Sequence, residues 1–343
     1  MDYVKTTKMN YNLQVGYGQI AGQFPFTGSG KVFFVGDSGT ANREMLQSLF
    51  INDPDGEVRF FSTIDAAVSA CTANAGDIVY VAPGHTENIA SATSLALDVA
   101  GVRIIGLGQG EDRPTLTYIT STAATIDVTA ANVSMENMII DLTGDTTGVL
   151  IGIDVSAADF TFKNNRVILA DSSVIAVKGL FADTSSDGLV VTGNEFIGSN
   201  DLGVASGLLA AIEVEGVNVT NQNDSTHVRS AVITDNTIIG AFDHTSGSPI
   251  LMDTWLTTNI EVSGNFIENF SLSSYFGLKG THNMSGRVSG NLFKSTNSVG
   301  TVWVHGTPGT TNAAGAKTRL TLIQNYGVNV DGERGIEFGI ATE

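Results

Sequence analysis

The sequence predicts an all-β fold: a parallel β-helix, a solenoid of stacked coils, with a short N-terminal arm and a capping α-helix before the first coil. Three observations predict it. A strand-and-bend pattern recurs at near-constant spacing, at Met135, Phe162 and Val191 and again at Ile233, Val262 and Val288, with one longer step between the two runs. Glycine is abundant at 39 residues while proline is scarce at 6, which suits many tight turns between short strands. Hydrophobic residues make up 42% of the chain, enough to bury a sizeable core. A solenoid of 343 residues can run as one unit, because each coil contacts only its neighbours.

Residues 1–60 read as an N-terminal arm and attachment region, and 61–343 as the β-helix domain. The stretch 1–30 is polar and aromatic without periodicity and ends in Phe24-Pro25-Phe26-Thr27-Gly28-Ser29-Gly30. Val32-Phe33-Phe34-Val35 is a strand candidate, a short helix is expected around Arg43 to Phe50, and Asp53-Pro54-Asp55-Gly56 is a turn by composition. The best helix runs from Ser62 to Asn74. There Ile64, Ala67, Val68 and Cys71 fall at i, i+3, i+4 and i+7, and Ser62-Thr63-Ile64-Asp65 matches a capping box. A helix here would cover the open end of the core, which otherwise exposes apolar side chains and strand edges.

From Asp77 onward short β-rich runs such as Ile78-Val79-Tyr80-Val81 alternate with Gly, Asn, Asp and Ser. The anchors Met135, Phe162, Val191, Ile233, Val262 and Val288 define the repeat, with weaker copies at Ile104 and Leu322. Two positions before each anchor stand Val133, Phe160, Leu189, Ala231, Ile260 and Gly286, mostly apolar, as in a strand with one buried face. Two positions after stand Asn137, Asn164, Gly193, Asp235, Gly264 and Gly290, types that tolerate a left-handed bend. Position +3 reads Met138, Asn165, Asn194, Asn236, Asn265 and Asn291, side chains that can hydrogen-bond from coil to coil. Position +5 reads Ile140, Val167, Phe196, Ile238, Ile267 and Phe293, the return to the core. The long step from Val191 to Ile233 implies an inserted loop at Asn218 to Arg229, and the step from Val288 to Leu322 another near His305 to Thr318.

This pattern resembles the pectate-lyase-like right-handed parallel β-helix proteins. Phe61-Ser62-Thr63-Ile64-Asp65-Ala66-Ala67 followed by Gly76-Asp77-Ile78-Val79-Tyr80-Val81-Ala82-Pro83-Gly84 looks like the entrance to that fold. The block from Val35-Gly36-Asp37-Ser38-Gly39-Thr40 through Gly84-His85-Thr86-Glu87 resembles tailed-bacteriophage virion proteins that carry such a helix. The resemblance implies a virion protein made in the host cytoplasm, with capsid or other virion proteins as partners and a homotrimer as the favoured assembly.

The net charge of −18 repels phosphate backbones, so nucleic acid is not an expected partner. No apolar run approaches the roughly 20 residues of a membrane span. Met1-Asp2-Tyr3-Val4-Lys5 has no apolar signal-peptide core, so secretion is not expected. The single cysteine, Cys71, lies on the apolar stripe of the predicted helix and reads as a core residue.

Candidate chemistry is sparse. Enzymes on this fold present carboxylates from successive coils, but position +6 reads Asp141, Ile168, Ile197, Ile239, Glu268 and Lys294, which is not a carboxylate ladder. The histidines His85, His227, His244, His282 and His305 have no metal-ligand spacing, and no metal or cofactor is expected. His85, after Pro83-Gly84, reads as a turn residue. Gly106-Leu107-Gly108-Gln109-Gly110 follows a strand but precedes no helical pattern, so it reads as a coil bend and not a phosphate loop. Asp253, Trp255, Trp303 and His305 form a possible aromatic sugar platform, set against ordinary packing of the two tryptophans on a coil. Tyr11, Tyr17, Phe24 and Phe26 in the arm are the candidate virion-attachment residues.

The sequence therefore leads to a non-enzymatic structural virion protein, a capsid decoration or cement protein or a projecting fibre. The alternative is a tailspike-like protein that binds or degrades polysaccharide, as a lyase or glycoside hydrolase. Self-association is expected because mean hydropathy is +0.13 and charged residues are only 15%, against roughly 25% in average globular proteins.

Overall fold

The computed structural model describes residues 30–37, 59–119, 123–144, 149–169, 177–199, 207–215, 230–242, 247–253, 257–271, 277–280, 284–295, 304–306, 319–328, 334–335 and 338–340. Successive coils lay their strands onto three parallel sheets, which enclose one continuous core running from Phe33 to Val304. The first sheet holds 11 strands, the second 10 and the third 9. A short antiparallel contact, Tyr326–Val328 with Arg334–Gly335, closes the second sheet at its C-terminal edge.

Every predicted anchor lies in register on the first sheet. Ile104 faces Met135, Met135 faces Phe162, and the column continues through Val191, Ile233, Val262 and Val288 to Leu322. The +5 residues form the matching buried column of the second sheet: Ile140, Val167, Phe196, Ile238, Ile267 and Phe293. Strands alternate apolar residues inward and polar residues outward because side chains point to opposite faces of the pleat.

The corner between first and second sheets is built alike in coil after coil. Asn137, Asn164 and Asp235 take φ of 60°, 56° and 56°, and Gly193 takes 66°. This is the left-handed region that Asn, Asp and Gly accept most readily. At Gly193 a Cβ would also stand 2.6 Å from Asn164 Oδ1, so the corner is tight as well as left-handed. The following asparagine turns inward and is buried. Asn236 Nδ2 donates to Val191 O at 2.9 Å and to Asn265 Oδ1 at 3.0 Å, while its own Oδ1 accepts from Asn194 N at 2.9 Å and Asn194 Nδ2 at 3.0 Å. The same exchange runs from Asn165 to Asn325, and the Met138 N–H ends the ladder by donating to Asn165 Oδ1. Each buried amide is satisfied by its neighbours, which is the condition for placing so many polar groups inside.

The helix is shorter than its sequence pattern. It spans Ile64–Ser69, and its N-cap is Thr63, whose Oγ1 accepts from Ala66 N at 3.3 Å. The helix ends at Ser69: Ala70 N and Cys71 N tighten onto Ala67 O and Val68 O, three residues back, and the segment through Thr72-Ala73-Asn74 is no longer helical. Ile64, Ala67 and Val68 join the core as the spacing predicts. Cys71 lies just past the helix, half-buried against the core, and its thiol contacts Ala67 O at 3.2 Å. Val32–Val35 is a strand as expected, seated between Phe60–Phe61 and Ile78–Val81 at the edge of the first sheet. The helix expected at Arg43 to Phe50, the turn at Asp53 to Gly56 and nearly all of both inserted loops lie outside the described residues.

Candidate functional site: an acidic face on the third sheet

The third sheet has an outer column that the repeat pattern does not disclose. Ala96, Asp127, Asp154, Phe181, Glu213, Leu251 and Lys279 stand in register on successive strands. Their neighbours along each strand, such as Ile126, Val128, Ile153 and Val155, point into the core, so these residues point out. Two positions further on, Asp183 follows the end of its strand at Ala182, Glu215 ends the next strand one coil later, and Asp253 faces Glu215 directly. The carboxylates of Asp127, Asp154, Asp183, Glu213, Glu215 and Asp253 thus share one face with Lys178 and Lys279. In-register strands lie about 4.8 Å apart, so the like charges repel.

The electrostatics follow from that crowding. Burial, then the charges of Asp127 and Asp183, push the Asp154 carboxyl up to about 6, with Lys178 pulling the other way. Burial also raises Asp127 and Glu213, and in Glu213 the Lys178 ammonium opposes the rise while Asp253 and Glu215 add to it. Burial lowers Lys279, opposed by the Asp253 carboxylate. Lys178 is the hub: its Nζ lies 2.8 Å from Glu213 Oε1 and 4.2 Å from the centre of the Phe181 ring. Glu213 is only 3% exposed, and its Oε2 has no hydrogen-bond partner. Among the described residues no group of three His, Cys, Asp or Glu side chains converges to hold a metal ion. The arrangement presents negative charge along a line and does not gather it at a point.

The predicted site residues fare unevenly. Asp253 ends a strand of this face. His305 lies on the same sheet, opposite Lys279, two positions off the Asp253 register. Trp255 and Trp303 lie outside the described residues, as do Tyr11, Tyr17, Phe24 and Phe26. The +6 residues stand in register on the second sheet, three isoleucines between Asp141 at one end and Glu268 and Lys294 at the other, and form no carboxylate ladder. Gly106 closes a strand, and a single 3-10 turn, Gly110–Asp112, stands where a phosphate loop would need a helix. The acidic face does leave one trace in the sequence: Ile126-Asp127-Val128-Thr129-Ala130 recurs one coil later as Ile153-Asp154-Val155-Ser156-Ala157.

His85 is a buried corner residue. Its Nδ1 is 3.0 Å from Asp37 Oδ1 and its Nε2 3.3 Å from Glu87 Oε2. The same Glu87 oxygen accepts the Ile64 N–H at 3.0 Å, at the start of the helix. The cluster ties the end of the Val32–Val35 strand, the first corner and the helix together.

No protein-family model and no curated protein matches the chain. Among solved structures, ORF18 of Geobacillus virus E2 aligns at 14% identity with a TM-score of 0.30. The alignment covers 78% of this chain and 57% of that one, so the chain spans a little over half of its length. At that TM-score the likeness carries no argument about fold or function.

Proposed function

We propose that this chain is a structural virion protein of a tailed phage, a decoration or cement protein or a projecting fibre. One observation carries the reading: the buried asparagine ladder from Asn165 to Asn325 runs unbroken beside a single continuous core. A solenoid so stitched is stiff along its axis, a property suited to a spacer or scaffold. The entrance block from Val35 to Glu87, which resembles virion proteins in sequence, favours the same role. In this reading the aromatic arm (Tyr11, Tyr17, Phe24, Phe26) anchors the chain to capsid or other virion proteins, and copies associate as a homo-oligomer, three by resemblance.

Deleting residues 1–30 tests it. The expected result is a folded β-helix that no longer decorates purified particles. Wild-type occupancy by the truncated chain, or absence of the full chain from imaged native particles, overturns the role. Light scattering at dilute concentration tests the assembly: a mass matching the 35.9 kDa monomer excludes self-association of the free protein.

The tailspike-like alternative, binding or cleaving a host-surface glycan, is favoured by the carboxylates flanking Phe181 on the third sheet. A glycan array combined with a reducing-end assay separates it from a purely structural role: neither binding nor cleavage removes it.

A further inference from the structure

We infer that the last strand of the first sheet, Arg319–Ile323, is a self-pairing edge at which two copies of this chain meet end to end about a two-fold axis. The contact does not depend on the virion role or on any three-fold association. The core shows where it is open. The anchor column is fully buried from Ile104 to Val288, but Leu322, its last member, is partly exposed, and so is Leu320 beside it. Among the described residues no strand follows Arg319–Ile323 in this sheet. Ile323 O accepts from Gly290 N on the preceding coil. Main-chain groups alternate sides along a strand, so Thr321 also bonds back into the sheet, while Leu320 and Leu322 turn their N–H and C=O groups to the open side. Such an edge recruits another strand.

The sequence selects which strand. Leu320-Thr321-Leu322 reads the same in both directions. Antiparallel pairing of the strand with its own copy, centred on Thr321, therefore sets Leu320 opposite Leu322 of the second copy, with all these leucines on the core side. The opposed leucines are the residues with outward N–H and C=O groups, and each pair exchanges both hydrogen bonds. Thr321, exposed on the outer side, stands opposite Thr321 of the second copy as a non-hydrogen-bonded pair. Charge permits the meeting: within 319–328 the only charged residue is Arg319, in a chain of net charge −18. Ile323 at 39% and Tyr326 at 62% exposure add apolar surface on the same coil. The other end of the solenoid does not compete. Among the described residues its edge strand is only Phe60–Phe61, and the helix that buries Ile64, Ala67 and Val68 closes the core. Like end therefore meets like end, which closes the assembly instead of extending it into a filament.

Light scattering of the full chain tests the inference. Expected is a mass that is an even multiple of 35.9 kDa and that halves in Thr321→Arg, which sets like charges face to face, with the far-ultraviolet circular dichroism unchanged. Under mild oxidation Thr321→Cys should link two chains by a disulfide, because the Cα atoms of a non-hydrogen-bonded pair lie about 4.5 Å apart, within disulfide reach. Arg287→Cys, in register with Thr321 but one coil inside, should stay unlinked. The Thr321→Cys result decides the matter if Thr321→Arg does not fold. A monomer, an odd multiple, an unchanged mass in folded Thr321→Arg, or Thr321→Cys chains that stay unlinked overturns the inference. None of these outcomes bears on particle decoration, which deletion of residues 1–30 tests.

Discussion

Lys178 and Glu213 form an ion pair across neighbouring strands of the third sheet, 2.8 Å apart, with the acid buried and the lysine ammonium also resting over the Phe181 ring. Lys178→Met removes the ammonium and strands a buried charge. The expected loss is about 3 kcal/mol of stability, because breaking one side of a buried pair costs more than the pair itself contributes. The double variant Lys178→Met with Glu213→Met should recover most of the loss. Urea unfolding of the parent, both single variants and the double variant measures the coupling, and a single variant as stable as the parent would show that the pair is not stabilising.

Asn236 sits at the middle of the ladder, where its side chain donates to Val191 O and Asn265 Oδ1 and accepts twice from Asn194. Asn236→Ala takes this partner from Val191 O and from the Asn194 N and Nδ2 donors at once, while Asn265 Oδ1 keeps the Asn236 N–H. With about 1–3 kcal/mol for each buried group left unpaired and not resolvated, the total loss is several kcal/mol. Asn325 has fewer ladder partners on its C-terminal side among the described residues, so Asn325→Ala should cost less. Calorimetric melting of the two variants checks the order, and equal losses would contradict the cooperative ladder.

Phe196 is fully buried between Val167 and Ile238, with its ring 6.3 Å from that of Phe162. Phe196→Asp places an unpaired charge in that layer and is expected to cost several kcal/mol or prevent folding. A purified variant melting like wild type would mean that the assigned column is wrong.

Asp154 sets a pH dependence. Its folded value, about 6, lies above the ordinary 3.8, so the fold favours the protonated acid. This contribution is fully present below about pH 4 and is lost as pH rises through 6. Asp154→Asn should therefore stabilise the protein at pH 8, on the order of 1 kcal/mol after the solvent screening of a half-buried group is discounted, and leave it nearly unchanged at pH 3.5. Melting temperatures at the two pH values test the sign, and a variant destabilised at pH 8 would refute it.

Burial, with a smaller contribution from Asp77, pushes the Cys71 thiol up to about 12. The thiolate is the reactive form, so Cys71 should resist a thiol reagent such as DTNB at pH 8 in the native state and react promptly in urea. Stoichiometric labelling of the native protein within seconds would contradict the burial assigned to it.

The sequence by itself determined two of the three sheets and the corner joining them. That corner has fixed length, since the left-handed residue and the inward asparagine must both be present for each rung to bond the next. Anchor, bend and +5 residue therefore keep constant spacing in every copy, and periodicity reads them directly. The helix was legible as an apolar stripe, but its end was not, because the last amides tighten onto Ala67 O and Val68 O at Ala70 and Cys71 while the stripe continues to Cys71. Only the tertiary structure decided the third sheet. Its strands vary from the short Leu95–Leu97 to the long Leu208–Glu215, and variable loops flank them. The chain distance between register partners drifts accordingly: the step from Phe181 to Glu213 is longer than the step from Asp154 to Phe181. Acids that share no common period in the chain are brought onto one line only by strand pairing, which is why the acidic face appears in space and not in the repeat.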